Sequence, residues 1–433
     1  MKTIATHTLG CKVNQYDTQA MLELFIQAGF KPVSWDQQAD VFLINTCTVT
    51  GTGDKKSLQL IRRIRREHPS AFLIVCGCMA QQRGEDLLSM GPDLVLGTQR
   101  RNDVVALYEQ VLSTGSPLCA VYPLTEHQPF ESLSITEQND HTRAVLKIQE
   151  GCNNHCSYCI IPSVRGPVRS RSVDDICAEV RRLAGAGFHE IVLTGIHLCS
   201  YGRDLHPALS LLDAVRVVQD TDGILRIRLG SLEPTVATSD FAAELRRACK
   251  ICPQFHLALQ SGSDTVLARM KRRYNTDQYL KGVDNLRKEF PHAAFTTDIL
   301  TGFPGETEAE FNQTKEMIEK VGFARIHVFP YSPRPQTPAA EMPGQLSSAE
   351  KERRARELIA LGDRVARMYL HTWIGQESDL LPEELVDGCW EGYTPEYIRV
   401  RLEKGSICRA GVPVRIRLLE EGNHMMRGEM IHE

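Results

Sequence analysis

Between residues 144 and 330 the sequence alternates six times between a short apolar run and a longer amphipathic segment. The apolar runs are typical of buried parallel strands, and the segments between them have the periodicity of helices. The strand-like runs are AVLKIQ at 144, EIVLTG at 190, LRIRLG at 225, FHLALQ at 255, FTTDIL at 295 and RIHVFP at 325. The predicted helices lie near residues 173–187, 207–219, 238–249, 277–289 and 306–321. Six successive β/α units predict a barrel or part of one, with its functional groups at the carboxyl ends of the strands.

Two further regions flank this one. Before it, short apolar runs again alternate with amphipathic segments, which indicates an open α/β domain. Those runs are residues 41–44, 72–75 and 94–96, and the predicted helices are residues 14–29, 54–67 and 101–113. Residues 115–142 lose the periodicity and have the composition of a linker. After a charged helix at about 347–369, the last sixty residues favour a small antiparallel β-barrel. We therefore predict an α/β protein with domains at 1–140, 141–372 and 373–433.

Composition excludes several classes of protein. The chain has 433 residues, with 50 Lys and Arg against 54 Asp and Glu, and 42% of its residues are hydrophobic. This is ordinary for a folded soluble protein and unlike a disordered or fibrous one. No apolar run approaches the roughly 18 to 20 residues that span a bilayer. Because the start MKTIATHTLG also lacks the pattern of a secretion signal, we expect a cytoplasmic protein with no membrane partner.

The fourteen cysteines need a specific explanation. A reducing cytosol disfavours structural disulfides, so this number indicates metal or redox chemistry. The segment EGCNNHCSYCIIP places Cys152, Cys156 and Cys159 in a C-x3-C-x2-C array. Three thiolates on one loop can bind three irons of a cubane cluster and leave the fourth iron open to substrate. Zinc is the alternative, but a structural zinc site needs four ligands and would have to recruit a group such as His155 inside the loop.

The array, with Tyr158 before its last cysteine, resembles the signature of the radical S-adenosylmethionine enzymes. The six β/α units are similar to the partial barrel of that superfamily. The resemblance implies a 4Fe-4S cluster on Cys152, Cys156 and Cys159, whose open iron chelates the amino and carboxylate groups of S-adenosylmethionine. An electron from the cluster would then cleave the sulfonium to a 5′-deoxyadenosyl radical. An external electron donor such as flavodoxin or ferredoxin is implied as a partner.

Three cysteines of the first domain each follow or end a predicted strand. They are Cys11, Cys47 and Cys78, in THTLGCKVNQYDT, FLINTCTVT and VCGCMAQ. Strand ends in an open α/β sheet share one edge, so these cysteines can converge on a second site. The alternative is that they are small buried hydrophobes, and Cys76 competes with Cys78 as the third ligand.

These segments resemble the amino-terminal domain of the methylthiotransferases, whose matching cysteines hold an auxiliary 4Fe-4S cluster. The family pattern aligns with Cys78 rather than with Cys76. The last sixty residues resemble a TRAM domain, a small RNA-binding barrel, so the resemblance covers almost the whole chain. The segments LTGIHLCSYGRD, RIRLGSLEP, LALQSGSDTVLARMKRRY and GYTPEYIRV are most similar to the subfamily that modifies N6-threonylcarbamoyladenosine in tRNA. His197 and Cys199 replace the Asn and Gly that are more usual in the first of them.

The resemblance implies the tRNA anticodon loop as partner and the transfer of a methylthio group to C2 of that adenosine at position 37. Three alternatives stay open. The same chemistry could act on isopentenyladenosine or on a ribosomal protein, and a non-catalytic iron-sulfur protein could bind RNA with the same clusters.

Polar residues at the predicted strand ends are candidates for contact with S-adenosylmethionine. Thr194 and Gly195 end the second barrel strand, where the family's Gly-rich stretch meets the cofactor's amino group. The remaining candidates are Tyr158 in the cysteine loop, Ser231 and Glu233 after the third strand, Gln260 after the fourth and Asp298 in the fifth. Each could equally be a turn residue or a satisfied core polar group. The segment FPYSPRPQTPAA after the sixth strand resembles the family's closing loop.

Contact with RNA would depend on local patches, because the formal net charge is −4. Three basic groups are candidates for phosphate contact, although a charge run is often only a solvated face. They are Lys55, Lys56, Arg62, Arg63, Arg65 and Arg66; Arg165, Arg169 and Arg171; and Arg269, Lys271, Arg272 and Arg273. In the last domain, Tyr393, Tyr397, Arg399 and Arg401 are predicted to be exposed and to stack on or bond to unpaired bases. A purely structural role for that domain is the alternative.

Overall fold

The computed structural model describes residues 1–125, 128–135, 142–422 and 424–431. The first domain is built on a parallel sheet with strand order β2-β1-β3-β4-β5-β6. Its strands are β1 (Thr3–Thr8), β2 (Lys31–Pro32), β3 (Val41–Thr46), β4 (Phe72–Gly77), β5 (Leu94–Leu96) and β6 (Leu118–Ala120). Its helices are α1 (Lys12–Gln27), α2 (Gly51–Glu67), α3 (Cys78–Leu88) and α4 (Val104–Thr114). Apolar side chains of α1 and α4 cover one face of the sheet, and those of α2 and α3 cover the other. The predicted open α/β domain is confirmed.

The second domain contains all six predicted barrel strands. Its strands are β7 (Arg143–Glu150), β8 (Arg169–Ser170), β9 (Glu190–Gly195), β10 (Arg226–Leu229), β11 (Ser231–Leu232), β12 (Gln254–Leu257), β13 (Ala294–Thr301) and β14 (Arg325–Pro330). Its helices are α5 (Ile161–Arg165), α6 (Val173–Gly185), α7 (Leu211–Gln219), α8 (Ser239–Arg247), α9 (Asp264–Arg269), α10 (Thr276–Glu289), α11 (Glu308–Val321), α12 (Pro338–Glu341) and α13 (Ser348–His371). Two sheets, β10-β9-β7-β8 and β11-β12-β13-β14, form a partial barrel with β8 and β14 at its outer edges.

Alternate residues of the barrel strands face opposite ways. One set joins a single apolar core with the surrounding helices, as Ile191, Ile227 and Phe255 do. The residues between them form an inner face that is rich in polar and charged groups. Examples are Arg143, Lys147, Gln149, Glu190, Thr194, Arg226, Arg228, His256 and Asp298. A closed barrel usually packs branched apolar side chains at such positions, so this lumen is built for polar contacts.

The third domain is a closed barrel with strand order β15-β16-β17-β19-β18. Its strands are β15 (Glu377–Val386), β16 (Cys389–Tyr393), β17 (Arg399–Leu402), β18 (Val414–Gly422) and β19 (Met425–Met430). Four of the five neighbouring pairs are antiparallel as expected, but β17 and β19 run parallel. An odd number of strands cannot close with every neighbour antiparallel, so one parallel pair is required. In the described part of the chain, no helix is both long and apolar enough to cross a membrane.

A buried ion cluster joins the first two domains. One nitrogen of Arg165, at the end of α5, lies 3.0 Å from both Asp17 of α1 and Glu150 of β7. Lys147 lies 3.1 Å from Glu150 and also pairs with Asp17. Arg101 pairs with both carboxylates and is the most exposed of the five side chains, at 4%. We call these five residues the interdomain ion cluster. Burial alone would raise the pKa of Asp17, but the three cations hold it below its usual value.

The interdomain ion cluster predicts a large effect of neutralising Asp17. In Asp17→Asn, three buried cations would face one buried carboxylate, and breaking a buried pair in this way costs about 3–5 kcal/mol. We expect the free energy of unfolding, measured in urea, to fall by that amount. The matched control is Glu67→Gln, which removes a carboxylate from an exposed pair with Arg63 and should leave the unfolding midpoint nearly unchanged. Equal shifts in the two variants would contradict the prediction.

Candidate active site between two cysteine groups

The first cysteine group lies on the loop that directly follows β7. We call Cys152, Cys156 and Cys159 the barrel cysteines. The loop is fixed at its base because Gly151 has φ +72°, and a Cβ there would lie 1.8 Å from the Pro167 carbonyl oxygen. Burial raises the pKa of Cys159 to about 12, and the nearby thiols of Cys156 and Cys152 add to that shift. The three sulfurs therefore face the same small region.

A buried arginine lies against this group. Arg272 donates from Nη1 to Sγ of Cys156 at 3.2 Å. Its Nη2 lies 3.1 Å from Oε1 of Glu233, and its side chain is only 8% exposed. A guanidinium in this position compensates the negative charge that a cysteine carries when it binds metal.

The second group brings together three cysteines from neighbouring strands. Cys11 follows β1, Cys47 follows β3 and Cys78 begins α3 directly after β4. We call them the domain-1 cysteines. Burial raises the pKa of Cys78 to about 11, and the thiols of Cys11 and Cys47 act in the same direction. A Cβ at Gly10, where φ is +101°, would lie 2.9 Å from Cβ of Cys47, so the turn that carries Cys11 touches Cys47.

A second buried arginine contacts this group. Arg165 of the interdomain ion cluster donates from Nε to Sγ of Cys78 at 3.2 Å. The same guanidinium therefore contacts a domain-1 cysteine and the carboxylate of Glu150, two residues before Cys152. Each cysteine group thus has one buried arginine within hydrogen-bonding distance of one sulfur.

Cys76, the alternative third ligand of this group, is directed into the core of the sheet. Its sulfur donates to the carbonyl oxygen of Ile44 at 3.6 Å, and its side chain is packed in the core of the sheet. All fourteen cysteines are free of disulfides. Among the described residues, no three His, Cys, Asp or Glu side chains are arranged to hold a single metal ion. A cubane cluster binds each cysteine through a different iron, so its cysteine ligands need not meet at one metal ion.

The two cysteine groups adjoin each other. Cys78 packs against Ile160 and Val164, which follow Cys159 in the chain. The closing loop, residues 330–340 after β14, contacts both sides. Ala339 donates its backbone N–H to the carbonyl of Ser157 at 2.8 Å. On the other side, Ser332 accepts from the Gly51 N–H at 3.1 Å, and Arg334 donates to Thr48 at 2.7 Å.

Glu233 is the predicted cofactor residue that contacts the barrel-cysteine loop. It is 8% exposed and accepts from Asn154 at 3.3 Å. His197 Nε2 lies 3.2 Å from the Glu233 carboxylate, and its Nδ1 is hydrogen-bonded to Ser200. Side-chain hydrogen bonds from His197 and the charge of Arg272 keep the pKa of Glu233 low although burial opposes this. Asn154 could not be singled out from sequence, although its place inside the C-x3-C-x2-C segment was a signal.

The other predicted cofactor residues differ in position: Thr194 and Gly195 end β9, Ser231 begins β11, Gln260 follows β12, Asp298 lies within β13 and Tyr158 lies on the barrel-cysteine loop. Thr194 is buried, and a Cβ on Gly195 would lie 2.8 Å from Gln149, whose side chain accepts from the His197 N–H. Tyr158 packs with an apolar cluster that includes Tyr331 of the closing loop. Ser231 is exposed, Gln260 has φ +64°, and Asp298 lies 3.4 Å from His256. For these last three, no contact with the barrel-cysteine loop is found among the described residues.

Two of the predicted phosphate-binding groups need correction. Arg165 and Arg171 are fully buried, and Arg169 is 5% exposed, so this group cannot meet RNA. The prediction was wrong because these cations neutralise internal carboxylates, which residue type alone does not reveal. In the third group, Arg272 is committed to Cys156 and Arg269 pairs with Glu310, while Lys271 and Arg273 remain exposed. Arg165 and Arg272 are therefore site residues that contact cysteines, whereas the sequence analysis had predicted that they contact RNA phosphates.

The predicted exposed residues of the third domain are also engaged internally. The rings of Tyr393 and Tyr397 stack 4.5 Å apart. The guanidinium of Arg143 lies 4.9 Å from the Tyr393 ring centre. Arg399 pairs with Glu391, and Arg401 lies 3.5 Å from Asp387. The expectation of exposure was wrong for Tyr393 and Tyr397, because both rings pack against Arg143. Arg399 and Arg401 keep 41% and 36% of their side chains exposed, so their contact with bases stays a prediction.

Comparisons with known proteins agree with this organisation. Residues 3–97 match the model of the uncharacterized protein family UPF0004, and residues 146–318 match the radical SAM superfamily. Among solved structures, the radical S-adenosylmethionine methyltransferase TsrM from Kitasatospora setae has a similar fold, with a TM-score of 0.58 at 13% identity. That match covers 78% of this chain and 77% of the other.

Curated relatives match from end to end. The threonylcarbamoyladenosine tRNA methylthiotransferase MtaB of Bacillus subtilis is 40% identical, covering 100% of this chain and 97% of the relative. The protein of that name from Thermotoga maritima is 34% identical, with coverage of 100% and 98%. The tRNA-2-methylthio-N(6)-dimethylallyladenosine synthase of Moorella thermoacetica is also 34% identical, with coverage of 99% and 98%. The chain therefore belongs to the radical S-adenosylmethionine methylthiotransferase family, in the threonylcarbamoyladenosine tRNA methylthiotransferase subfamily.

Proposed function

We propose that this protein adds a methylthio group to C2 of N6-threonylcarbamoyladenosine at position 37 of tRNA. The observation that carries the proposal is the pair of adjoining cysteine groups, each with a buried arginine at one sulfur. The reaction needs two separate sites, because one must stay open to S-adenosylmethionine and the other must hold sulfur. The C2–H bond of adenine is unactivated, so no acid or base side chain could replace its hydrogen at neutral pH. Radical chemistry meets that need.

The barrel cysteines would hold the 4Fe-4S cluster that membership in the radical SAM superfamily implies. When bound, that cluster supplies the electron that cleaves S-adenosylmethionine to a 5′-deoxyadenosyl radical, after reduction by a donor such as flavodoxin or ferredoxin. Arg272 donates a hydrogen bond to Sγ of Cys156 and would offset the negative charge of a cluster-bound sulfur. Glu233, Asn154 and His197 offer donors and acceptors for the cofactor's polar groups beside the loop. Tyr158 and the closing loop cover this region with apolar surface and limit access of water.

The domain-1 cysteines would hold a second 4Fe-4S cluster, which would carry the sulfur to be methylated and transferred. The charges of the side chains around these cysteines favour the binding of an anionic group. Beside Cys78, Asp17 and Glu150 face three cations of the interdomain ion cluster, so one positive charge is left over. Glu131 and the buried Arg169 add one further charge of each sign and leave this surplus unchanged. A thiolate-bound cluster at Cys78 would balance it.

The tRNA would approach the exposed face of α2. Lys55, Lys56 and Arg62 are exposed on this helix, which begins four residues after Cys47. The anticodon loop suits such a site because its bases unstack at smaller cost than those of a duplex. A tRNA substrate also implies a cytoplasmic location. The same chemistry on isopentenyladenosine is the second candidate, since relatives named for dimethylallyladenosine also match over the full length.

The proposed reaction predicts a defined mass change. Anaerobically reconstituted enzyme, incubated with S-adenosylmethionine, sulfide and a reductant, should add one methylthio group to N6-threonylcarbamoyladenosine in tRNA. Nucleoside mass spectrometry measures the product. If the methylthio group were added to isopentenyladenosine instead, that nucleoside would be assigned as the substrate. Formation of 5′-deoxyadenosine without a modified base in either tRNA would contradict the proposed substrate class.

The two cysteine groups predict opposite losses. Replacing the three barrel cysteines with Ala should abolish 5′-deoxyadenosine formation and leave one cluster, detectable by electron paramagnetic resonance. Replacing the three domain-1 cysteines should preserve 5′-deoxyadenosine and abolish the methylthiolated product. Cys76→Ala is the matched control, because its thiol lies in the sheet core. Methylthiolation that survived loss of the domain-1 cysteines would show that the second cluster is misplaced.

The exposed face of α2 predicts a salt-sensitive contact with RNA. Reversing Lys55, Lys56 and Arg62 to Glu should lower tRNA affinity about tenfold or more at low salt and flatten its salt dependence. Radical cleavage measured without tRNA should not change. The control reverses three lysines, Lys281, Lys288 and Lys320, which are also exposed. Equal losses in the two triple variants would assign the effect to overall charge and remove α2 from the interface.

A further inference from the structure

Lys12 occupies an unusual position. It is the first residue of α1 and directly follows Cys11, so its Cα lies about 3.8 Å from that of a domain-1 cysteine. Its side chain is solvent accessible. It nevertheless interacts electrostatically with Arg143 of β7, Glu190 of β9 and Arg228 of β10, and with Tyr397 of the third domain.

Helix α1 packs against β7 and β9, which places Lys12 at its first residue beside the polar inner face of the barrel. Glu190 and Arg228 are at most 1% exposed and belong to the polar inner face of the barrel. Helix α1 is anchored at the same face, since Asp17 of α1 pairs with Lys147 of β7. An accessible lysine within range of these buried groups faces the open lumen of the barrel. It enters that lumen from the side of the domain-1 cysteines.

The other cations of this region already have hydrogen-bond or ion-pair partners. Arg228 donates to Glu190 at 2.7 Å and to the Pro395 carbonyl at 2.9 Å. Arg226 donates to the carbonyl oxygen of Asp379 at 2.8 Å. Arg143 pairs with Glu383 at 2.6 Å and covers the Tyr393 and Tyr397 rings. Lys12, by contrast, has no hydrogen bond or ion pair to any residue that the structure describes.

The lumen therefore has a charge imbalance with one free cation. Among the described residues, Lys12, Arg143, Arg226 and Arg228 share two carboxylates, Glu190 and Glu383, while Asp298 of the same inner face lies against His256. A cleft that is lined by an excess of one sign of charge and has low-dielectric walls attracts a ligand of the opposite sign. Because the other three cations are saturated, an incoming anion would meet the ammonium group of Lys12.

We propose that Lys12 binds the carboxylate of the threonylcarbamoyl substituent and so determines the substrate. This inference rests on the proposed function. C2 of the adenine must reach the domain-1 cysteines, and Lys12 is the next residue after one of them, so the N6 substituent of the same base lies within reach. A threonylcarbamoyl group ends in a carboxylate, whereas an isopentenyl group is neutral and apolar. A free cation therefore favours the first and disfavours the second.

The test compares two anticodon stem-loop RNAs. One carries N6-threonylcarbamoyladenosine, and the other carries the same nucleoside with the threonine carboxylate converted to a carboxamide. For the wild-type protein we expect Kd and KM to be about tenfold lower for the carboxylate RNA, as a charge-assisted contact provides. Lys12→Gln should remove this preference, and Lys12→Arg should keep part of it. Lys31→Gln, at an exposed lysine on β2 of the same domain, is the matched control and should behave as wild type.

The remaining readouts separate other roles for Lys12. Formation of 5′-deoxyadenosine without RNA and the electron paramagnetic resonance spectra should be unchanged in Lys12→Gln. Equal weakening toward both RNAs would mean that Lys12 meets an RNA phosphate, and loss of 5′-deoxyadenosine would mean that it meets the carboxylate of S-adenosylmethionine. Either result overturns the proposal, as does a wild-type protein that binds both RNAs equally. If wild type made no methylthiolated product at all, the proposed function would fail, while the Kd comparison would still decide the role of Lys12.

Discussion

The contact between Arg165 and Cys78 is the interaction on which the site depends. One guanidinium joins a sulfur of the first domain to two buried carboxylates, one from each domain. Buried ion pairs add little net stability, because desolvation offsets much of the attraction. Their contribution here is geometric, since a displaced Arg165 would leave Asp17 and Glu150 unpaired. The cost of leaving these carboxylates unpaired fixes the arrangement of the two domains. It therefore also fixes the arrangement of the two cysteine groups.

Arg165 and Arg272 both come from the second domain and play the same role at two cysteine groups that lie in different domains. One comes from the helix after the barrel-cysteine loop and serves the domain-1 cysteines, while the other comes from the segment after α9 and serves Cys156. Burial raises the pKa of Cys78 and of Cys159, which by itself disfavours the thiolate form that an iron-sulfur cluster would require. A fixed cation at one sulfur of each group counters this effect. Hydrogen bonds to sulfur and burial are also the means by which proteins set cluster potentials.

Sequence was sufficient to predict the helices and strands and to place three cysteines at neighbouring strand ends, but it was insufficient to predict the role of the arginines. The strand runs predicted the sheets, and the rule that parallel strand ends share an edge predicted that Cys11, Cys47 and Cys78 converge. Arg165, Arg169 and Arg171 look like an RNA-binding run because charge is visible in sequence and burial is not. Tyr393 and Tyr397 were misjudged for the same reason, since their partner Arg143 lies about 250 residues earlier in the chain. Local sequence patterns predict local structure. The role of a charged side chain, by contrast, depends on the residues that surround it in the folded protein.

The third domain has a structural role that its RNA-binding resemblance does not suggest. Arg226 and Arg228 of the barrel donate to backbone carbonyls of residues 379 and 393–395, so this domain closes one end of the polar lumen. Tyr397 has φ +66°, a strained conformation for a bulky residue, and its ring lies 4.8 Å from the guanidinium of Arg228. Such strain persists only where surrounding contacts impose it. With one end closed by the third domain and α1 anchored along the side, the lumen is left open toward the cysteine groups, where a flipped base and its substituent would enter.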